Sequence, residues 1–120
     1  MTSYENIKQK ADKENENNLI KTYKALIKYI DKEIERKSNI GGYKVNINLL
    51  EIYITFLSEL DFKPNMTYDV YKQVEHYYKR LGFHTELDIR PAQKNGNVYS
   101  AMQENLRISW GVIKWTYHKH

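Results

Sequence analysis

The sequence contains no cysteine, which removes disulfides, thiolate metal sites and thiol nucleophiles together and fits a reducing compartment. It has only two prolines and five glycines, so the breaks at Gly41-Gly42, Pro64, Gly82, Pro91, Gly96 and Gly111 divide the chain cleanly into elements. No apolar run approaches the roughly 20 residues that a membrane-spanning helix needs. The opening MTSYENIKQK is too polar for a secretory signal, so a cytoplasmic protein with no membrane partner is expected. Also missing are a phosphate loop, a dinucleotide fingerprint and any Ser/His/Asp spacing that suggests a triad. His118 and His120 form a His-x-His pair, but in the last three residues this reads as a terminal tail or a cloning remnant and not as a metal site. No enzyme, cofactor or metal is therefore expected.

What is present is clearest from Met66 to Arg90. Val70, Val74, Tyr77 or Tyr78, and Leu81 recur with the helical period, opposite a polar and mostly basic stripe of Asp69, Lys72, Gln73, His76, Lys79 and Arg80. Thr67 suits an N-cap, Lys79 and Arg80 suit the negative end of the helix dipole, and Gly82 suits a C-terminal stop with positive φ. The period then changes to two. Phe83, Thr85, Leu87 and Ile89 lie on one side of a strand, His84, Glu86, Asp88 and Arg90 on its wet side, and Pro91 ends it.

Residues 1–17 are charged and Asn-rich, with no apolar stripe, and read as a flexible arm or a frayed helix extension before a globular domain over 18–117. Ile20, Tyr23, Ile27, Ile30 and Ile34, widened by Leu19 and Leu26, predict a first helix from Asn18 to about Lys37. Its outer face, including Asp31, reads as solvated. YKVNI at 43–47 alternates as a short strand. Asn48 with Glu51 resembles a capping box opening a second helix to about Leu60, whose apolar residues cover most of its circumference and predict the centre of the core. In the long connection 91–105, Asn95-Gly96 signals a turn, and SAMQEN has the composition of a helical turn. Leu106, Ile108 and Trp110 alternate as a last strand antiparallel to 83–90, with Arg107 facing Glu86 or Asp88. A bulge at Gly111 would carry the pattern on through Ile113, Trp115 and Tyr117, before a frayed tail.

At 120 residues with a net charge of +4, the chain is long enough to bury a core. Three of the four excess positive charges fall in residues 61–120, where nucleic-acid phosphate is a candidate partner. Eleven tyrosines against three phenylalanines, with abundant Lys, Asn and Ile, look like the usage of a low-GC bacterium or one of its phages or plasmids.

The predicted class is α+β, three helices and a small antiparallel sheet in the order α-β-α-α-β-β. That order, over about residues 18–112, and the stretch FKPNMTYDVYKQVEHYYKRLGF resemble a winged helix-turn-helix domain, with its turn, recognition helix and glycine-aromatic exit into the wing. The resemblance implies that residues 67–81 lie in a DNA major groove and that 91–105 form the wing. Tyr68, Lys72, Gln73, His76, Lys79 and Arg80 would face duplex DNA, with Lys94 and Asn95 near phosphates, and Gln73 would be placed to read adenine. The expectation is a small non-enzymatic DNA-binding regulator or replication or transfer accessory of a phage or plasmid, to which a homodimer on a two-fold site is suited. The alternative is a protein-binding module, such as a phage-encoded inhibitor of a host enzyme, anchored by Tyr68, Tyr71, Tyr78, Tyr99, Trp115 and Tyr117.

Overall fold

The computed structural model describes residues 3–111. Within them the chain runs α1 (Tyr4–Asn39), β1 (Lys44–Asn48), α2 (Leu49–Glu59), α3 (Tyr68–Arg80), β2 (His84–Arg90), β3 (Gln93–Asn95), β4 (Val98–Ser100) and β5 (Gln103–Ser109). The class is α+β, in the expected order. β1, β5 and β2 form an antiparallel sheet with β5 in the middle, and β3 and β4 form a separate hairpin. No helix among the described residues is long and apolar enough to cross a membrane. The expected continuation through Ile113, Trp115 and Tyr117, the tail and its two histidines lie outside the described residues.

The first helix begins at Tyr4 and not at Asn18. Ser3 Oγ accepts the Asn6 amide at 3.3 Å as its cap. Residues 4–17 are rich in Glu, Lys and Gln, which lose little rotamer freedom in a helix, and extending a helix already anchored by packing costs far less than nucleating one. They bury nothing and need no stripe. Beyond them the buried line is Thr22, Leu26 and Ile30; Tyr23, Ile27 and Ile34 pack on its flank, and Ile20 is exposed. Thr22 has a structural use that hydropathy does not reveal. Its hydroxyl donates to the Asn18 carbonyl at 2.6 Å and accepts the Asn65 amide at 2.8 Å, fastening the turn before α3 onto α1.

α2 is capped as expected, with Asn48 Oδ1 accepting the amides of Leu50 and Glu51 at 3.1 and 3.3 Å. It is not the centre of the core. Leu49, Ile52 and Phe56 are buried, whereas Ile54 and Leu57 are 69% and 54% exposed, because the helix is covered on one side only. The centre lies where α1, α3 and β5 meet, at Leu26, Ile30, Val70, Tyr78, Leu106 and Ile108, none of which has accessible surface.

α3 ends as predicted, since Gly82 has φ +96° and its amide donates to the Lys79 carbonyl at 3.0 Å. Thr67 occupies the N-cap position, but its side chain makes no cap bond, and the carbonyl of Thr67 accepts from Tyr71 instead. Leu81, just past the last turn, is exposed. SAMQEN is extended and not helical: the β2–β5 ladder runs out to Arg90 opposite Gln103, which draws the chain straight from Gln103 onward. Gly96, with φ +61°, begins the tight turn of the β3–β4 hairpin.

Candidate functional site

α3 has two faces of opposite character. Val70, Tyr71, Val74 and Tyr78 are buried against α1 and the sheet, while Tyr68, Gln73, His76, Lys79 and Arg80 are exposed and Lys72 is half-buried. The six helix residues that the winged-helix resemblance implies for DNA therefore lie on one helix, away from its buried stripe. Gln73, His76 and Arg80 make no side-chain hydrogen bond or ion pair among the described residues.

Between the faces sits Glu75, only 4% exposed. Its carboxylate accepts from Lys72 Nζ at 2.8 Å and from the Thr85 hydroxyl at 3.3 Å, with Lys79 Nζ at 3.7 Å. Burial pulls its pKa up, but the Lys72 hydrogen bond, the Lys72 and Lys79 charges and the Thr85 bond outweigh that and hold it below the ordinary carboxylate range. Two of the three helix cations thus share one buried anion. Lys72 Nζ also lies 6.0 Å from the centre of the Tyr68 ring, so the first turn of α3 presents an aromatic and an ammonium together.

Lys94 and Asn95 lie on β3 of the hairpin, both exposed, with Lys94 Nζ 5.3 Å from the Tyr99 ring on the facing strand. No hydrogen bond or ion pair joins them to α3 among the described residues. On the wet side of the sheet, Arg107 does face both expected carboxylates, at 3.1 Å from Glu86 and 3.2 Å from Asp88. Arg90 adds a bidentate pair to Asp88 at 2.9 and 3.0 Å, and this bond, followed by that of Arg107, holds the Asp88 carboxyl below its usual range.

The tyrosines expected as interface anchors divide sharply. Tyr68 and Tyr99 are exposed, but Tyr71 and Tyr78 are core residues, with hydroxyls spent on Glu104 at 3.4 Å and Asp31 at 2.7 Å, so neither is an anchor. A buried phenol needs a partner, and both found carboxylates. Trp115 and Tyr117 lie outside the described residues. In the sequence Glu75 reads, with Asp69, as negative charge on or beside the reading face, and the lysines at its −3 and +4 positions are the signal of an intrahelical ion-pair cluster. Neither a family model, nor a curated protein, nor a solved structure matches the chain.

Proposed function

We propose that the protein binds duplex DNA through the outer face of α3, with the β3–β4 hairpin acting as a wing against the neighbouring backbone. The observation that carries this is the uncovered polar face of α3, with Gln73, His76 and Arg80 free of side-chain bonds among the described residues, on a helix whose other face is seated in the core. The α-β-α-α-β-β order, with a hairpin between the paired strands β2 and β5, supports the same reading. Gln73 can read an adenine edge, Arg80 can grip a guanine or a phosphate, and Lys94 can meet phosphate from the hairpin. Glu75 tempers the helix charge, which favours contacts made by shape and hydrogen bonding over indiscriminate attraction to phosphate. A homodimer on a two-fold site, acting in the cytoplasm as a regulator or accessory of phage or plasmid DNA, suits a domain of this size.

The test is fluorescence anisotropy with a random duplex and a single strand of equal length, for the parent and for Lys72→Ala/Lys79→Ala/Arg80→Ala. Three to four phosphate contacts predict duplex affinity falling roughly 40- to 150-fold between 50 and 200 mM salt, with loss of binding in the variant. No binding to either strand form at low salt overturns the proposal.

A second reading, a protein-binding module such as an inhibitor of a host enzyme, is favoured by one observation. The outer stripe of α2, with Ile54 and Leu57, and the hairpin residues Val98 and Tyr99 are all exposed. A tight partner whose binding is flat with salt and lost in Leu57→Asp supports this reading over the first.

A further inference from the structure

One face of the three-stranded sheet, with the C-terminal end of α1 at its edge, carries a groove of about 440 Å³. The strand register puts Lys44, Ser109 and His84 in one row across it, and Asn46, Arg107 and Glu86 in the next. Residues opposite one another in an antiparallel sheet share a face. The alternate row, Val45, Ile108 and Thr85, is buried, with the Thr85 hydroxyl on Glu75 of α3; Val45 and Ile108 also border the groove, and no α3 residue does.

Lys37, from the last turn of α1, completes the rim. Its stem has little freedom there. A Cβ at Gly42 would come within 2.8 Å of Lys37 Cγ, so only glycine lets the chain press this closely, and the Gly42 amide donates to the Lys37 carbonyl at 2.8 Å. The charge balance of the groove is uneven. Glu86 is its one carboxylate among the described residues and is paired with Arg107, whose second ion pair is to Asp88. Lys37 and Lys44 make no ion pair among the described residues. Two unpartnered ammonium groups therefore border a hydroxyl, an imidazole and a side-chain amide in one concavity.

We propose that this groove binds a small phosphate monoester, its phosphate held between Lys37 and Lys44 beside Ser109 and His84. Ammonium groups hold phosphate as point charges, and the hydroxyl and imidazole supply directed bonds to its oxygens. The volume exceeds that of a bare phosphate and falls in the range of small-molecule sites, which leaves room for an organic group over the Asn46–Arg107 row. The site does not depend on α3 and stands whether or not that helix binds DNA.

The experiment is an amide ¹H–¹⁵N titration of the full chain with inorganic phosphate, with adenosine monophosphate and with uncharged adenosine. Saturable shifts are expected at Lys44, Asn46, His84, Arg107 and Ser109, tighter for the monoester than for phosphate, and absent with adenosine. Each of Lys37→Ala and Lys44→Ala should weaken monoester binding about tenfold, the value of one charged hydrogen bond, with the spectrum otherwise preserved. Lys79→Ala should leave it unchanged. Shifts that fail to saturate, that follow Lys79 instead, that persist in both groove variants, or that are equal for phosphate and its monoester overturn the proposal.

Discussion

The hydroxyl of Tyr78 on α3 donates to the Asp31 carboxylate on α1 at 2.7 Å, tying together two helices from residues 47 positions apart. The ring itself is without accessible surface, and its hydroxyl also lies 3.2 Å from the Ile27 carbonyl. One side chain therefore fills the core and fixes the helix pair.

Tyr78→Phe keeps the ring and removes this bond. It should lower the unfolding free energy by about 1–2 kcal/mol, read from urea denaturation, and Asp31→Asn, which keeps an acceptor without the charge, should cost less. A Tyr78→Phe variant as stable as the parent would show that the phenol acts only as core volume.

Alkaline pH should weaken the fold. Burial, then the hydrogen bond and charge of Asp31, push the Tyr78 phenol far above its ordinary range, and burial with Glu104 does the same for Tyr71. The folded chain holds these protons after the unfolded chain has released its own. Their contribution is complete below about pH 10 and lost as the pH rises beyond it. Urea unfolding between pH 9 and 11.5 should show this fall, and Tyr71→Phe/Tyr78→Phe should flatten it.

Glu75 works in the opposite direction. Because its folded pKa is depressed, its contribution is present above the ordinary carboxylate range and lost as the pH falls through the folded value. Glu75→Gln should cost about 1 kcal/mol at neutral pH and remove part of the acid-side loss in a denaturation series. It also releases Lys72 and Lys79, so duplex binding by the variant should strengthen and its salt dependence steepen.

Thr22→Val is nearly isosteric but removes the acceptor to which the Asn65 amide donates. The expected cost is about 1–3 kcal/mol, with faster hydrogen exchange at Asn65. Thr22→Ser, which keeps the hydroxyl, should retain the slow exchange.

The parts of the fold that were legible in the sequence are those decided locally. Gly82 stops α3 because nothing but its own φ is required, Asn48 caps α2 through amides two and three residues away, and Arg107 meets Glu86 and Asp88 because strand alternation fixes the face. The errors share another cause. Ile54 and Leu57 look like core residues by hydropathy, and only the lack of a second layer over α2 leaves them exposed. Tyr71 looks like a contact residue, and only the Glu104 carboxylate, from a distant element, gives its buried hydroxyl a partner; Tyr78 lies on the apolar stripe, but its bond to Asp31 is equally non-local. The candidate site divides in the same way. The α3 face follows from helical period, whereas the groove needs Lys37, Lys44, His84 and Ser109 brought together by pairing across the whole chain, for which no short window carries a signal.

β5 is the middle strand of its sheet, yet it is the last strand among the described residues. As the nascent chain leaves the ribosome, β1 and β2 emerge with no neighbour to pair with, and the helices lack Leu106 and Ile108 to close upon. The three-stranded sheet cannot close until β5, which ends at Ser109, is available. The pairings it then completes are non-local, which sets a slow pace for a chain this short and leaves two unpaired strand edges open to chaperones, or to each other between chains, until synthesis has passed that residue.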